Sequence, residues 1–265
     1  MLNVRNNRKR LFYVLISVLV LIIVITLKLF TNCLGKPRYI YLEYWNGEID
    51  KRFVNVDEVT EVWLGDETEF TRNKIKYCEN LEYLAYSPHN FQDLNFIDNP
   101  TLTDLYIFGE GDDWSALGNC KSLESISIYE SNFSDISLLL NMKNLKSLII
   151  DTTHNLDFSG VDSLSSITSF TVKSPMIDMN DVCRLQSVME LYLCGGEIVD
   201  FHVIAEMERL ESLYLYDIEL TDFSSIYNIP SLQLLGLRNC NIPEDVKEKL
   251  LEKGVEVVED KVKED

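Results

Sequence analysis

Histidine, glycine and basic residues are scarce in this chain, and each scarcity excludes a class of function. Three histidines, His89, His154 and His202, occur in 265 residues. They stand at different phases of the pattern described below, so they do not converge on one catalytic centre. No Ser/His/Asp set or HExxH motif accompanies them. The 11 glycines include no loop of the kind that cradles a phosphate. The 24 lysines and arginines face 43 acids, a net charge of −19. Nucleic-acid binding needs cationic side chains to displace counterions from phosphates, so this balance argues against it. The six cysteines form neither a CxxC nor a Cys/His zinc spacing. The expectation is a protein with no catalytic residue, no metal and no cofactor.

What is abundant is a repeat. An apolar triad, LxxLxL, opens at Val59, Leu81, Leu102, Leu123, Leu145, Ile167, Val188, Leu210 and Leu232, always 21 or 22 residues apart. A period this constant marks a solenoid rather than a core built from unlike elements. The last two apolar residues of each triad lie two apart, as Leu213 and Leu215 do, and so point to one side of a short strand. One strand per turn, stacked in register, makes a parallel sheet. The second half of each unit carries Asp followed by an apolar residue, at Asp93, Asp113, Asp135, Asp157, Asp178, Asp200 and Asp222. A carboxylate there can accept hydrogen bonds from the free N–H groups that start a helical turn. The fixed phase reads as capping rather than as acid/base pairs or calcium ligands.

These residues resemble the leucine-rich repeat family, and the stretch from Asp135 through Leu139 is similar to the short class of bacterial internalin-type surface proteins. The resemblance covers residues 59–242. It implies an α/β solenoid: a curved parallel sheet of about nine turns with short helical or irregular convex segments, binding other molecules on its concave sheet. The family usually places Asn, sometimes Cys or Thr, eight residues after the first Leu, where the side chain ties neighbouring turns together. Here that place holds His89, Glu110, Ser131, Thr153, Pro175, Gly196, Ile218 and Cys240. A degenerate ladder is the expectation.

The two ends differ from the repeats. Residues 11–30 are apolar except for Lys28, and 20 residues at ~1.5 Å each span the ~30 Å hydrocarbon layer. Arg5, Arg8, Lys9 and Arg10 precede this run. The positive-inside rule then gives a single-pass signal anchor in the cell membrane, with residues 1–10 cytoplasmic and the repeats outside. A cleaved signal peptide competes, but the apolar run is longer than the usual ~7 to 15 residues and no small-x-small site follows. Residues 31–58 read as a linker and a hairpin cap turning at Asn46-Gly47. Residues 243–265 read as a second cap: Pro243 opens a helix, Gly254 stops it, a strand follows at 255–258, and the tail is charged.

Cys78 and Cys120 each fall three residues before an opening, where other units carry Met142, Leu164 or Leu185. That is a core place, and two turns at ~4.8 Å separate them by about 10 Å, too far for a disulfide. Cys240 sits in the ladder, Cys183 on the convex segment and Cys194 on the rim of a strand. Buried thiols are expected ahead of structural disulfides.

The same alternation that defines the core assigns the outward face. Its aromatic and acidic members are Glu61, Trp63, Tyr83, Asp104, Tyr106, Phe108, Tyr129, Asp151, Glu190, Tyr192, Tyr214 and Tyr216. Ala85, Ser127, Gly236 and the bases Lys173 and Arg238 share the face. Aromatics favour strands in any case. A solvated sheet, though, has little reason to line up exposed tyrosines, and tyrosine-rich surfaces are typical of protein recognition. The expected ligand is a protein with a basic patch. Carbohydrate stacking on the same rings and an envelope scaffold or spacer are the alternatives.

Overall fold

The computed structural model describes residues 39–45, 49–65, 72, 74–88, 90–220 and 223–260, with side chains from residue 55 onward. The expected cytoplasmic tail and membrane anchor lie outside the described residues. Among the described residues no helix is long and apolar enough to cross a membrane.

The described chain begins with a hairpin of β1 (Tyr39–Trp45) and β2 (Ile49–Asn55), paired antiparallel so that Trp45 lies opposite Ile49. The repeats follow. Each contributes one strand that starts at the third residue of its triad: β3 (Glu61–Gly65), β4 (Tyr83–Ser87), then, after the two-residue β5 (Asn90–Phe91), β6 (Asp104–Phe108). After the two-residue β7 (Glu110–Gly111) come β8 (Ser125–Ser131), β9 (Ser147–Thr152) and β10 (Ser169–Lys173). Short strands β11 (Met176–Asp178) and β13 (Glu197–Val199) pair with each other around β12 (Glu190–Cys194). The series closes with β14 (Ser212–Tyr216), β15 (Leu234–Arg238) and β16 (Glu256–Asp260). The main sheet runs β16-β15-β14-β12-β10-β9-β8-β6-β4-β3, all parallel. This is the expected solenoid with one strand more: β16, from the C-terminal cap, extends the sheet past the ninth repeat.

Register explains the core. Phe170, Leu191, Leu213 and Leu235 are successive partners across four strands, and all are fully buried. Each strand therefore stacks apolar residue on apolar residue, turn after turn. Burying one Leu or Phe side chain contributes roughly 1.5 to 3 kcal/mol.

On the convex side, Asp93, Asp113, Asp135, Asp157 and Asp178 each accept the backbone N–H two residues on, at 2.8–2.9 Å. Short 3-10 or α turns follow, as at Asn95–Ile97, Ile136–Leu139 and Met179–Val182. Two of these carboxyls are held below the usual range by their bonds to the chain, Asp113 by the Ser115 backbone and side chain, and Asp157 by the side chain and backbone of Ser159. Asp200 departs from the expectation. Its φ of 54° turns it away from a capping geometry, and its carboxylate instead takes the Asn180 amide of the preceding turn at 2.7 Å. Asp222 lies outside the described residues.

The ladder is also shifted from where spacing put it. Ser131 is buried and donates to the Asp151 carbonyl at 3.0 Å. The next rungs are Thr152, donating to the Phe133 carbonyl at 2.7 Å, and Ser174, donating to the His154 carbonyl at 3.0 Å. The sequence count had pointed to Thr153 and Pro175, which are exposed. A local irregularity causes the slip: Glu130 takes a φ of 45° and the register shifts between Ile128 and Ser131, so Ser131 pairs with Thr152. Gly196 makes no rung. Its φ is 75°, and a Cβ there would lie 2.1 Å from the Ser174 carbonyl oxygen, so only glycine fits. Cys240 does act as a rung, through its Sγ to the Leu215 carbonyl at 3.2 Å.

A second hydroxyl ladder was not read from the sequence. Thr101, Ser122, Ser166 and Ser187 each precede an opening residue, and each donates to the carbonyl of the previous opening residue, at 2.6–2.8 Å. Cys78, Cys120 and Cys183 are buried, and burial pushes the Cys120 and Cys183 thiols up to about 12.

Candidate functional site

Parallel pairing in register sorts the outward residues of the sheet into three columns. The first contains Glu61, Tyr83, Asp104, Ser125, Ser147, Ser169, Glu190 and Ser212. The second contains Trp63, Ala85, Tyr106, Ser127, Ile149, Thr171, Tyr192, Tyr214 and Gly236. Along the third, Phe108 pairs with Tyr129, Asp151 with Lys173, and Cys194 with Tyr216, which pairs in turn with Arg238. All twelve of the expected aromatic and acidic residues lie on the outward side of the main sheet. Two outward places that carry small residues are nonetheless buried, Ala85 and Gly236, the latter against the Tyr214 ring.

The aromatics at the end of the sheet nearer the hairpin form ring pairs. Trp63 and Tyr83 lie 5.5 Å apart at 35°, and Tyr106 and Tyr129 lie 5.0 Å apart at 31°. Ala85 separates Trp63 from Tyr106 in the second column. Trp63 is 41% exposed and donates its indole N–H to Glu61 Oε1 at 2.6 Å. Asp104 accepts the Thr103 hydroxyl at 2.7 Å.

The distal patch is tighter. Tyr192 and Tyr214 stack face to face, 4.1 Å apart and 2° from parallel, and Tyr216 stands edge-on to both at 6.0 and 6.1 Å. The stack depends on Gly236, where a Cβ would meet Tyr214 Cδ1 at 2.3 Å. Tyr192 donates its hydroxyl to Glu190 Oε1 at 2.8 Å, and Ser169 donates to Glu190 Oε2 at 3.1 Å. Burial and the bond to Glu190 raise the Tyr192 hydroxyl above the usual phenol range, so it remains a donor.

Arg238 lies 4.3 Å above the Tyr216 ring and donates to Asp217 Oδ2 at 3.0 Å. Asn239 completes the bracket by donating to Asp217 Oδ1 at 2.7 Å. Asp217 and Asn239 were not among the expected binding residues. Their signal was present: both follow a strand at the same phase, and Asp and Asn are the side chains most at ease in the left-handed region, where φ is 57° and 53°.

Between the two patches the face carries no aromatic and is polar apart from Ile149, and Lys173 is paired with Asp151 at 2.9 Å. Of the histidines, His154 and His202 are exposed, and His89 lies outside the described residues. Among the described residues no group of three or more His, Cys, Asp or Glu side chains could hold a metal ion.

Fold and face together define the class: a leucine-rich-repeat solenoid with an aromatic and acidic concave sheet. Solved structures share the fold. An internalin, internalin F of Listeria monocytogenes, superimposes with a TM-score of 0.60 at 25% identity, over 79% of this chain and 65% of the internalin. Internalin C2 of the same organism gives a TM-score of 0.57 at 19% identity, over 70% of this chain and 84% of its own. A leucine-rich-repeat protein of Leptospira interrogans gives 0.51 at 17% identity, over 70% of this chain and 62% of its own. The chain thus spans just under two thirds of the internalin F length. No protein-family model matches the sequence, and no curated protein matches it significantly.

Proposed function

We propose that this protein is a non-catalytic recognition module that binds a protein ligand on its concave sheet, held at the cell membrane by residues 11–30 with the repeats outside. The observation that carries the reading is the distal tyrosine patch. Three rings are held in fixed mutual geometry on an outward face by Glu190, Gly236 and Arg238, an arrangement the core does not require. Rigid tyrosines supply large contact area at low entropic cost, and binding hot spots are enriched in Tyr, Trp and Arg. The acidic residues of the same face suit a partner with a basic patch, and salt should then slow encounter.

The test compares full-length protein with a Tyr192→Ser, Tyr214→Ser, Tyr216→Ser variant of unchanged circular dichroism, each used to capture proteins from extracellular material. A protein retained by the first and lost by the second supports the reading. Equal capture by both contradicts it.

A further inference from the structure

Three places on the concave sheet share one local design. In β3, β6 and β12 a carboxylate in the first column precedes, by two residues, an aromatic in the second: Glu61 with Trp63, Asp104 with Tyr106, Glu190 with Tyr192. Each aromatic meets a further ring on the next aromatic-bearing strand. In two of the three the carboxylate is fixed against the ring by a hydrogen bond from it, at 2.6 and 2.8 Å. A ring face beside an oriented carboxylate is a seat for an alkylammonium or guanidinium group, which gains a cation–π contact and a charge-assisted hydrogen bond together.

The molecule fills two seats of this type with its own cations. Arg238 lies over Tyr216 and bonds Asp217. Lys249 lies over Tyr227 at 5.4 Å and pairs with Asp245 at 3.3 Å. At the three concave places no described lysine or arginine pairs with Glu61, Asp104 or Glu190.

Spacing then selects the ligand's shape. In the sheet, β6 lies two strands from β3, and β12 lies four strands from β6. At about 4.8 Å per strand the seats are about 9.6 and 19 Å apart. A polyproline II chain rises about 3.1 Å per residue and repeats its facing every three residues, so three residues cover about 9.3 Å and six about 18.6 Å. A flat β-strand would present residues three apart to opposite sides.

Resting on the concave-face reading, we propose that the ligand segment is a polyproline II stretch lying across the strands with Lys or Arg at positions i, i+3 and i+9. Their cations occupy the seats at Glu61/Trp63, Asp104/Tyr106 and Glu190/Tyr192.

The test titrates full-length protein with three synthetic proline-rich peptides. One has arginines at i, i+3 and i+9; the second has citrulline in their place, which keeps shape and removes charge; the third has the three arginines consecutive. The spaced arginine peptide should bind at least about tenfold tighter than either other. Glu61→Gln and Glu190→Gln, isosteric and on the surface, should each weaken it about three- to tenfold and leave the citrulline peptide unchanged. Equal binding of the spaced and consecutive peptides, equal binding of the citrulline peptide, no binding, or indifference to both glutamine variants overturns the proposal. If the peptide fails while capture still depends on Tyr192, Tyr214 and Tyr216, only this ligand class falls. If capture is also indifferent to those tyrosines, the concave-face reading falls with it.

Discussion

The two aromatic regions of the concave sheet use the same residue types and differ in how tightly they are held. Near the hairpin, Trp63/Tyr83 and Tyr106/Tyr129 are tilted pairs at 5.5 and 5.0 Å, interrupted by Ala85, and Trp63 is 41% exposed. Toward the C-terminus, Tyr192 and Tyr214 are parallel at 4.1 Å, Tyr216 braces both, and Glu190, Gly236 and Arg238 fix the group. One region is adaptable and the other preorganised. Preorganised rings lose less freedom on binding, so the distal patch should carry more affinity per ring.

The largest expected effect lies beneath both patches. Leu84→Ala and Leu213→Ala each remove a fully buried side chain of the shared core and should cost about 2 to 5 kcal/mol in denaturant melts. A much smaller loss on one side would show that the two regions do not share a cooperative core. Next comes Gly236→Ala, which drives Tyr214 off Tyr192. It should weaken ligand binding by about tenfold, the upper part of what an aromatic pair is worth, while Ala85→Gly changes binding little. Comparable losses from the two would erase the distinction between the patches. Tyr192→Phe, which deletes the bond to Glu190, should cost about 0.5 to 1.5 kcal/mol of binding by titration calorimetry. Trp63→Phe, which deletes a bond between exposed groups, should cost less.

The smallest effect concerns the capping turns, Asp113 on the hairpin side between β6 and β8 and Asp157 in the stretch between the patches. The Asp113 and Asp157 carboxyls titrate lower in the folded chain than their ordinary value. Their stabilisation is therefore complete above the unfolded carboxyl range, near about 4, and is lost as pH falls through the lower folded value. Asp113→Ala and Asp157→Ala should each make thermal stability less sensitive to acid below about pH 4, read from melting temperature against pH.

The periodic part of the molecule was readable from the sequence because the triad forces it. A residue at the fourth or sixth place must enter the core, so strands, parallel order and the outward face follow from counting. What counting missed was local backbone geometry. Glu130 in the left-handed region adds one residue to the β8 turn and moves the ladder from Thr153 to Thr152, which no period reveals. Asp200 carries the capping signature but follows strand β13 in the same left-handed region, and its carboxylate turns to Asn180. The ladder of Thr101, Ser122, Ser166 and Ser187 is in phase, but its partners are backbone carbonyls of the neighbouring turn, which no residue type marks. The site followed the same rule. Its twelve residues came from alternation, whereas the stack, the Gly236 gap and the Arg238–Asp217–Asn239 bracket depend on side-chain packing between turns.

The most direct test is hydroxyl-radical footprinting of full-length protein, alone and in complex with the partner recovered by tyrosine-dependent capture. The account predicts protection of Trp63, Tyr192, Tyr214 and Tyr216, with Tyr227, on the convex turn Ile226–Asn228, unchanged. Protection of Tyr227 while the concave rings stay fully reactive would place the interface on the other side of the solenoid and contradict the account.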